Sequence, residues 1–231
     1  MDTLIFIPSR KGNKRSEKKN QFKINNITLI DHTLKIAKNF RKTGIIFISS
    51  DDKLLVKKYK KYTFGYLRPK KYTKTGSNIV ESILDALRWF NTHNLSFKNV
   101  LILPPTSPIK NIRELKNFIN VFKKKKYQSL VSTIHMRDHP KLCVKKINNF
   151  KWNYLLGKNY QLDFDRLEKN FLSIDGNFSI AKVNFLKKYK SYLVKNKTKF
   201  FIQNRYVTID VNEKEDLKIA SYLFKKFRYS I

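Results

Sequence analysis

Phosphate chemistry needs cationic side chains gathered on a backbone that can come close to the ligand. The stretch SRKGNKRSEKKN at positions 9–20 offers both. Arg10, Lys14, Lys18, Lys19 and Asn20 can donate to phosphate oxygens, and Gly12 lets the chain turn and approach closely. The pattern is neither GxxxxGK[ST] nor GxGxxG, so it is not a P-loop or a dinucleotide fingerprint. In so basic a chain the same stretch also reads as an exposed loop. Two further polar clusters follow apolar runs: PPTSPIK at 104–110, and DVNEKED at 210–216. The second carries Asp210, Glu213 and Asp216, and carboxylate oxygens are what a hard cation such as Mg²⁺ prefers. Asp216 also reads as a first-turn acid complementing a helix dipole.

Other reactive residue types carry less. His32, His93 and His135 have no partners at metal-ligand spacing and read as structural or surface residues. His139 lies in a DHPK stretch and keeps a functional alternative. No Ser/His/Asp arrangement is readable from spacing. Cys143, the single cysteine, excludes an internal disulfide framework and a Cys-based zinc cluster, and its apolar surroundings read as core. Trp89 and Trp152 read as packing residues.

The elements that must position these groups alternate in type. Apolar runs at 3–8, 44–49, 99–104 and 128–134 read as buried strands. Amphipathic spacing predicts helices over 28–40, 52–61, 77–93, 111–125, 183–190 and 213–227, with Ser77 or Asn78 capping the third. Residues 135–180 break the rhythm with short strand-like pieces at 142–147 and 173–181, and RYVTIDV at 205–211 reads as a last strand. Strands alternating with helices predict an α/β fold with a mostly parallel sheet covered on both faces. Ligands of such sheets bind beyond the C-terminal strand ends, where all three polar clusters fall.

The chain has 231 residues, 41% hydrophobic, enough for one ample packed domain. Its net charge of +33 comes from 40 Lys and only 10 Arg spread end to end, without an Arg-rich arm. Lys, Asn, Ile, Phe and Tyr are abundant together, as AT-rich codons would make them. A specific nucleic-acid partner is therefore not expected, although a positive field favours any phosphorylated substrate. No apolar run reaches the roughly 20 residues of a membrane helix. The first residues do not read as a signal peptide. A cytoplasmic protein without a membrane partner is the expectation.

The opening IPSRKGNKRSEKKN resembles IPARxGSKxxxxKN, the opening of the CMP–sugar-acid synthetases, the cytidylyltransferases that activate sialic-acid-like nonulosonic acids. ISSD at 48–51, RP at 68–69, GSN at 76–78, LILPPTSPIK at 101–110, DHPK at 138–141, DGNF at 175–178 and IDVNEKEDLKIA at 209–220 are similar to further family segments, in the same order. The resemblance covers essentially the whole chain. It implies a three-layer, Rossmann-like nucleotidyltransferase fold as one domain, 1–231, with 135–180 as a protruding segment for dimerisation and the sugar site. It also implies transfer of CMP from CTP to the anomeric hydroxyl of a sugar acid, with release of pyrophosphate, in a homodimer.

The roles carried over are these. Arg10, Gly12, Lys14, Lys19 and Asn20 would bind the nucleotide phosphates, and Arg68, Gly76, Ser77 and Asn78 the nucleoside. Arg10, Lys19 and Asp210 would be catalytic. Pro105, Thr106, Ser107, Lys141, Asn177 and Phe178 would form the sugar side, and Asp210 with Asn212 would hold Mg²⁺. Asn212 replaces the second Asp of the family pair, and an amide oxygen is a weaker ligand than a carboxylate. Pro104, Lys110, Ser173-Ile174 and the early Lys141 also depart from the pattern, so the nucleotide half matches better than the sugar half. A non-catalytic nucleotide binder, or a sugar nucleotidyltransferase with another base or acceptor, stays open at this level.

Overall fold

The computed structural model describes residues 2–13, 16–17, 22–74, 76–136, 138–156, 170–204 and 209–227. Six strands form the central sheet: β1 (Thr3–Pro8), β2 (Gly44–Ser49), β3 (Asn99–Ile102), β4 (Ser129–His135), β5 (Leu172–Lys182) and β6 (Lys199–Ile202). Their spatial order is β6-β4-β5-β3-β1-β2. Only β5 runs antiparallel to its neighbours, so the sheet is mostly parallel, as the alternating pattern predicts.

Period-two alternation explains the layers. Ile5 and Ile7 of β1 face one core with Ile46, Ile48, Leu34, Leu115 and Phe118. Leu4 and Phe6 face the other with Phe47, Ile83, Phe90 and Leu186. The first face is covered by α1 (Leu29–Lys38), α2 (Lys53–Lys58) and α5 (Ile112–Lys124). The second is covered by α4 (Ile79–Thr92) and α6 (Val183–Tyr189). A helical turn at Lys60–Thr63, counted as α3, follows α2 after a break at Tyr59, so the expected helix over 52–61 is two short pieces. Gly44 is required where β2 starts beside β1, because a Cβ there would collide with the carbonyl oxygen of Thr3.

A third apolar cluster docks α7 (Lys214–Phe227) on the ribbon Lys23–Ile24/Ile27–Thr28. That ribbon turns through Asn25 and Asn26, both at positive φ, as a tight hairpin requires.

Two expectations need correction. The last strand is Lys199–Ile202, parallel to β4; residues 209–211 are irregular, and 205–208 lie outside the described residues. The run KFFI holds only three consecutive apolar residues, Phe200-Phe201-Ile202, between Lys199 and Gln203, too short to mark a buried strand, and its side chains are largely exposed on a sheet edge. Of the 135–180 segment, residues 172–180 belong to the central sheet, while the small ribbon Val144–Lys146/Trp152–Tyr154 stands apart from it.

Candidate active site

The strands β1, β2, β3, β4 and β6 all end at one edge, where β5 begins. The polar segments after them therefore meet there.

On the β1–β2 side the backbone sets the geometry. Ser9 N–H donates to Ser49 O at 2.9 Å, and Lys11 N–H to Asp51 Oδ1 at 2.7 Å. Arg10 is exposed beside them. Asp52, the next residue, caps α2 through the N–H groups of Leu54 and Leu55. Arg68 is 5% exposed, and its guanidinium donates to Ser49 Oγ at 2.9 Å and Ser49 O at 2.5 Å. Burial lowers its pKa from the ordinary value, the nearby Asp51 carboxylate opposes this, and the Arg10 charge adds to it. Arg68 thus braces the strand end, and its donors are turned inward. Lys14, Lys18, Lys19 and Asn20 lie outside the described residues; the backbone of Gly12–Asn13 pairs with Ser16–Glu17.

Gly76, at φ +84°, and Ser77 form the turn into α4. Asn78 caps that helix by accepting from Val80 N–H at 2.9 Å, and its amide donates to Lys190 O at 2.6 Å. Asn78, not Ser77, is the cap.

On the β3–β5–β4 side, side chains build the geometry. The register of β5 against β4 shifts between Ile174 and Ser179, so 175–178 bulge from the ladder, with Gly176 at φ +66°. Asp175 fills the bulge: it accepts from Ser132 Oγ at 2.6 Å, Asn177 N–H at 3.0 Å and the Gln203 amide. Asn177 is fully buried; it donates to Gln203 Oε1 at 3.3 Å, and its own Oδ1 has no hydrogen-bond partner among the described residues. Ser107 Oγ donates to Gly176 O at 3.1 Å, and Val211 N–H to Thr106 O at 2.7 Å. Pro105, Thr106, Ser107, Asn177 and Asp210 are thereby brought onto connected segments.

Pro105, Ser107 and Asn177 are themselves buried, so of the expected sugar-side residues on these segments only Thr106 is partly exposed, and Phe178 is buried as well. Its ring is 2% exposed and stands edge-on to Phe118 at 4.7 Å in the core, which corrects the expectation that it lines the sugar side. Lys141 sits on the turn Pro140–Leu142, which His139 caps through Lys141 N–H at 3.1 Å. Cys143 is partly exposed instead of core, and Trp152 is 55% exposed; Trp89 packs edge-on against Phe90.

Lys110 was marked only as a departure from a pattern, yet it is central here. It is 4% exposed and donates to Pro104 O at 2.9 Å and to Ser107 O. Burial pulls its amine down to about 7, against the opposing carboxylates of Asp175 and Asp210. Asp175, Ser132 and Gln203 were also missed. The available signal was the pair Ser132-Thr133 beside Leu130, Val131 and Ile134 in a run that reads as a buried strand, since buried hydroxyls need partners.

Asp210 and Asn212 are exposed and adjacent, with Asn212 Nδ2 donating to Asp210 Oδ2 at 2.9 Å. Asp216 accepts from the N–H groups of Asn212 and Glu213 at 2.7 and 2.8 Å, so it caps α7. No three His, Cys, Asp or Glu side chains converge as a metal cage among the described residues. A cation held at Asp210 must therefore draw further oxygens from water or a phosphate ligand, which suits Mg²⁺.

The chain is similar to known proteins along most of its length. A family model described as "Cytidylyltransferase" matches residues 4–214. A CMP-N,N'-diacetyllegionaminic acid synthase of Legionella pneumophila is 24% identical over 97% of both chains. A pseudaminic acid cytidylyltransferase of Campylobacter jejuni is 22% identical over 97% of both. The structure of a CMP:2-keto-3-deoxy-manno-octonic acid synthetase complexed with CTP superimposes with a TM-score of 0.70, at 12% identity, covering 98% of this chain and 100% of the other.

Proposed function

Because the chain belongs to the cytidylyltransferase family, we propose that it transfers CMP from CTP to a nonulosonic sugar acid. The observation that carries this is the match over 97% of both chains to a CMP-legionaminic acid synthase and a pseudaminic acid cytidylyltransferase, and it is supported by a sheet edge at which Arg10 follows β1 and Val211, next to Asp210, bonds to Thr106. The anomeric hydroxyl of the sugar acid attacks the α-phosphorus of CTP. A P–O bond forms there, the bond to the β-phosphate oxygen breaks, and pyrophosphate leaves.

Charge on phosphate oxygens must be held through that step, so positioning and electrostatics dominate. Arg10 and Lys19, with Lys14 and Asn20, hold the triphosphate. Arg68 keeps the β2 end rigid beside them, and the turn at Gly76–Asn78 faces the nucleoside. Thr106 and Lys141 present the sugar acid, and the buried Pro105, Ser107 and Asn177 hold the segments behind them.

Mg²⁺ fits Asp210, with the Asn212 amide able to offer its oxygen by rotation. When bound it supplies charge neutralisation on the phosphates. We further propose a homodimer in the cytoplasm. Val144, Phe150, Trp152, Leu155 and Leu156 on and around the 144–154 ribbon are at least half exposed, an apolar surface that a second copy would bury. No helix among the described residues is long and apolar enough to cross a membrane.

The test is pyrophosphate release with CTP, UTP, ATP and GTP, each against pseudaminic and legionaminic acids with Mg²⁺. Release with CTP and one of these acids is expected. No release with any acid, despite CTP-selective thermal stabilisation, would leave a nucleotide binder in place of an enzyme.

A further inference from the structure

Lys110 lies just ahead of α5, where Asn111 caps the helix and fixes the local backbone. Its ammonium is almost fully enclosed, and an enclosed charge is tolerated only when it is well hydrogen-bonded. Its ammonium donates to two backbone carbonyls of one turn, those of Pro104 and Ser107. That turn has two further ties. Thr106 O receives the N–H of Val211, the residue after Asp210, at 2.7 Å. Ser107 Oγ donates to Gly176 O, at the bulge that carries Asp175 and Asn177, at 3.1 Å.

We propose that Lys110 is a positioning residue: by pinning the turn at 104–107 it sets Asp210 and the 175–178 bulge in one fixed mutual arrangement. One amine thus ties together three segments that are distant in sequence. The metal side and the sugar side are then not independent, since each hangs on the same turn. What Asp210 is positioned for rests on the cytidylyltransferase reading above; the pinning itself does not.

Charge and positioning predict opposite signs, which makes the proposal decidable. Removing a cation near Asp210 should tighten divalent-cation binding if electrostatics alone matter. Removing the clamp should weaken it, and loss of a group that orients a ligand typically lowers metal affinity by about 10–100-fold.

The experiment measures Mn²⁺ binding to the CTP complex by electron paramagnetic resonance, for the wild type, Lys110→Met and Lys110→Gln. Affinity for CTP without metal and amide exchange at Val211 are measured alongside. Lys110→Met is expected to lose about tenfold or more in Mn²⁺ affinity, with CTP affinity unchanged and Val211 exchange accelerated. Lys110→Gln keeps an N–H donor without the charge and should retain most of the affinity and the protection. Equal or tighter Mn²⁺ binding in Lys110→Met overturns the proposal, as does a matching loss of CTP affinity. Should Lys110→Met not fold, Val211 exchange in Lys110→Gln decides: wild-type protection supports the clamp, and lost protection overturns it. Should the wild type not bind CTP, the functional reading fails, and Val211 exchange in Lys110→Met still decides on the clamp.

Discussion

The two halves of the sheet edge are built differently. Beyond β1 and β2, backbone contacts and one inward-facing guanidinium fix the frame, and the candidate ligand-binding cations occupy one contiguous stretch of the sequence. Beyond β3, β4 and β5, the frame is a buried network of side chains 28 to 69 residues apart in sequence. In the first half the frame and the candidate ligand-binding stretch are distinct, because backbone groups and Arg68 fix the frame. The second half merges them, since buried Asn177 and Ser107 and partly buried Asp175 form a network that holds Thr106.

That contrast predicts opposite phenotypes. Arg10→Ala should lower kcat/KM for CTP by about a hundred- to a thousandfold, about 2.7–4 kcal/mol, as loss of a group facing developing charge does. Its unfolding free energy should move by no more than about 0.5 kcal/mol. Equal losses of both would erase the distinction between the halves.

Asp175→Ala should do the reverse. It strands the Asn177 N–H and the Gln203 amide and removes one of the two acceptors of Ser132 Oγ, a cost of about 1–3 kcal/mol readable by urea unfolding. CTP binding without a sugar acid should be unaffected, and a stable Asp175→Ala variant would show that the network is ornamental.

A smaller effect is expected at the junction. Asn212→Asp adds a carboxylate beside Asp210 and should lower the Mg²⁺ concentration for half-maximal rate by up to about tenfold, about 1.4 kcal/mol. An unchanged Mg²⁺ requirement would remove Asn212 from the metal site.

The smallest effect lies away from both halves, where α7 docks. His32 is buried, its Nε2 lies 3.0 Å from Ile24 O, and its ring stacks 4.7 Å from Phe224. Burial lowers its pKa below 6.5, with the neighbouring Lys35 adding to this. The unfolded chain therefore takes up the proton first, so stability is full above pH 6.5 and declines as the pH falls from there through the folded value. Thermal midpoints between pH 7 and 5 should show that decline in the wild type and less of it in His32→Gln. Identical slopes would exonerate His32.

Much of the first half was legible because strand, turn and ligand residues are consecutive. An apolar run ending at Pro8, followed by SRKG, states both the element and what lies at its end. The helices were legible from their apolar spacing, and Asn78 from its place before one of them. Lys110 was not legible as a clamp. Its meaning depends on the carbonyls of Pro104 and Ser107 turning inward and on Val211 arriving from a hundred residues away. Phe178 misled for the same reason, because strand alternation allowed either face and the bulge before it chose the core.

The sequence by itself determined the α/β alternation, the cationic stretch after β1 and the family to which the chain belongs, because each is written in neighbouring residues. Tertiary structure alone decided that β5 runs antiparallel, that β6 is KFFI, and that Asp175, Gln203 and Lys110 support the site. Those depend on which distant segments meet at the sheet edge, and hydrogen bonds of buried groups are settled only when their partners arrive.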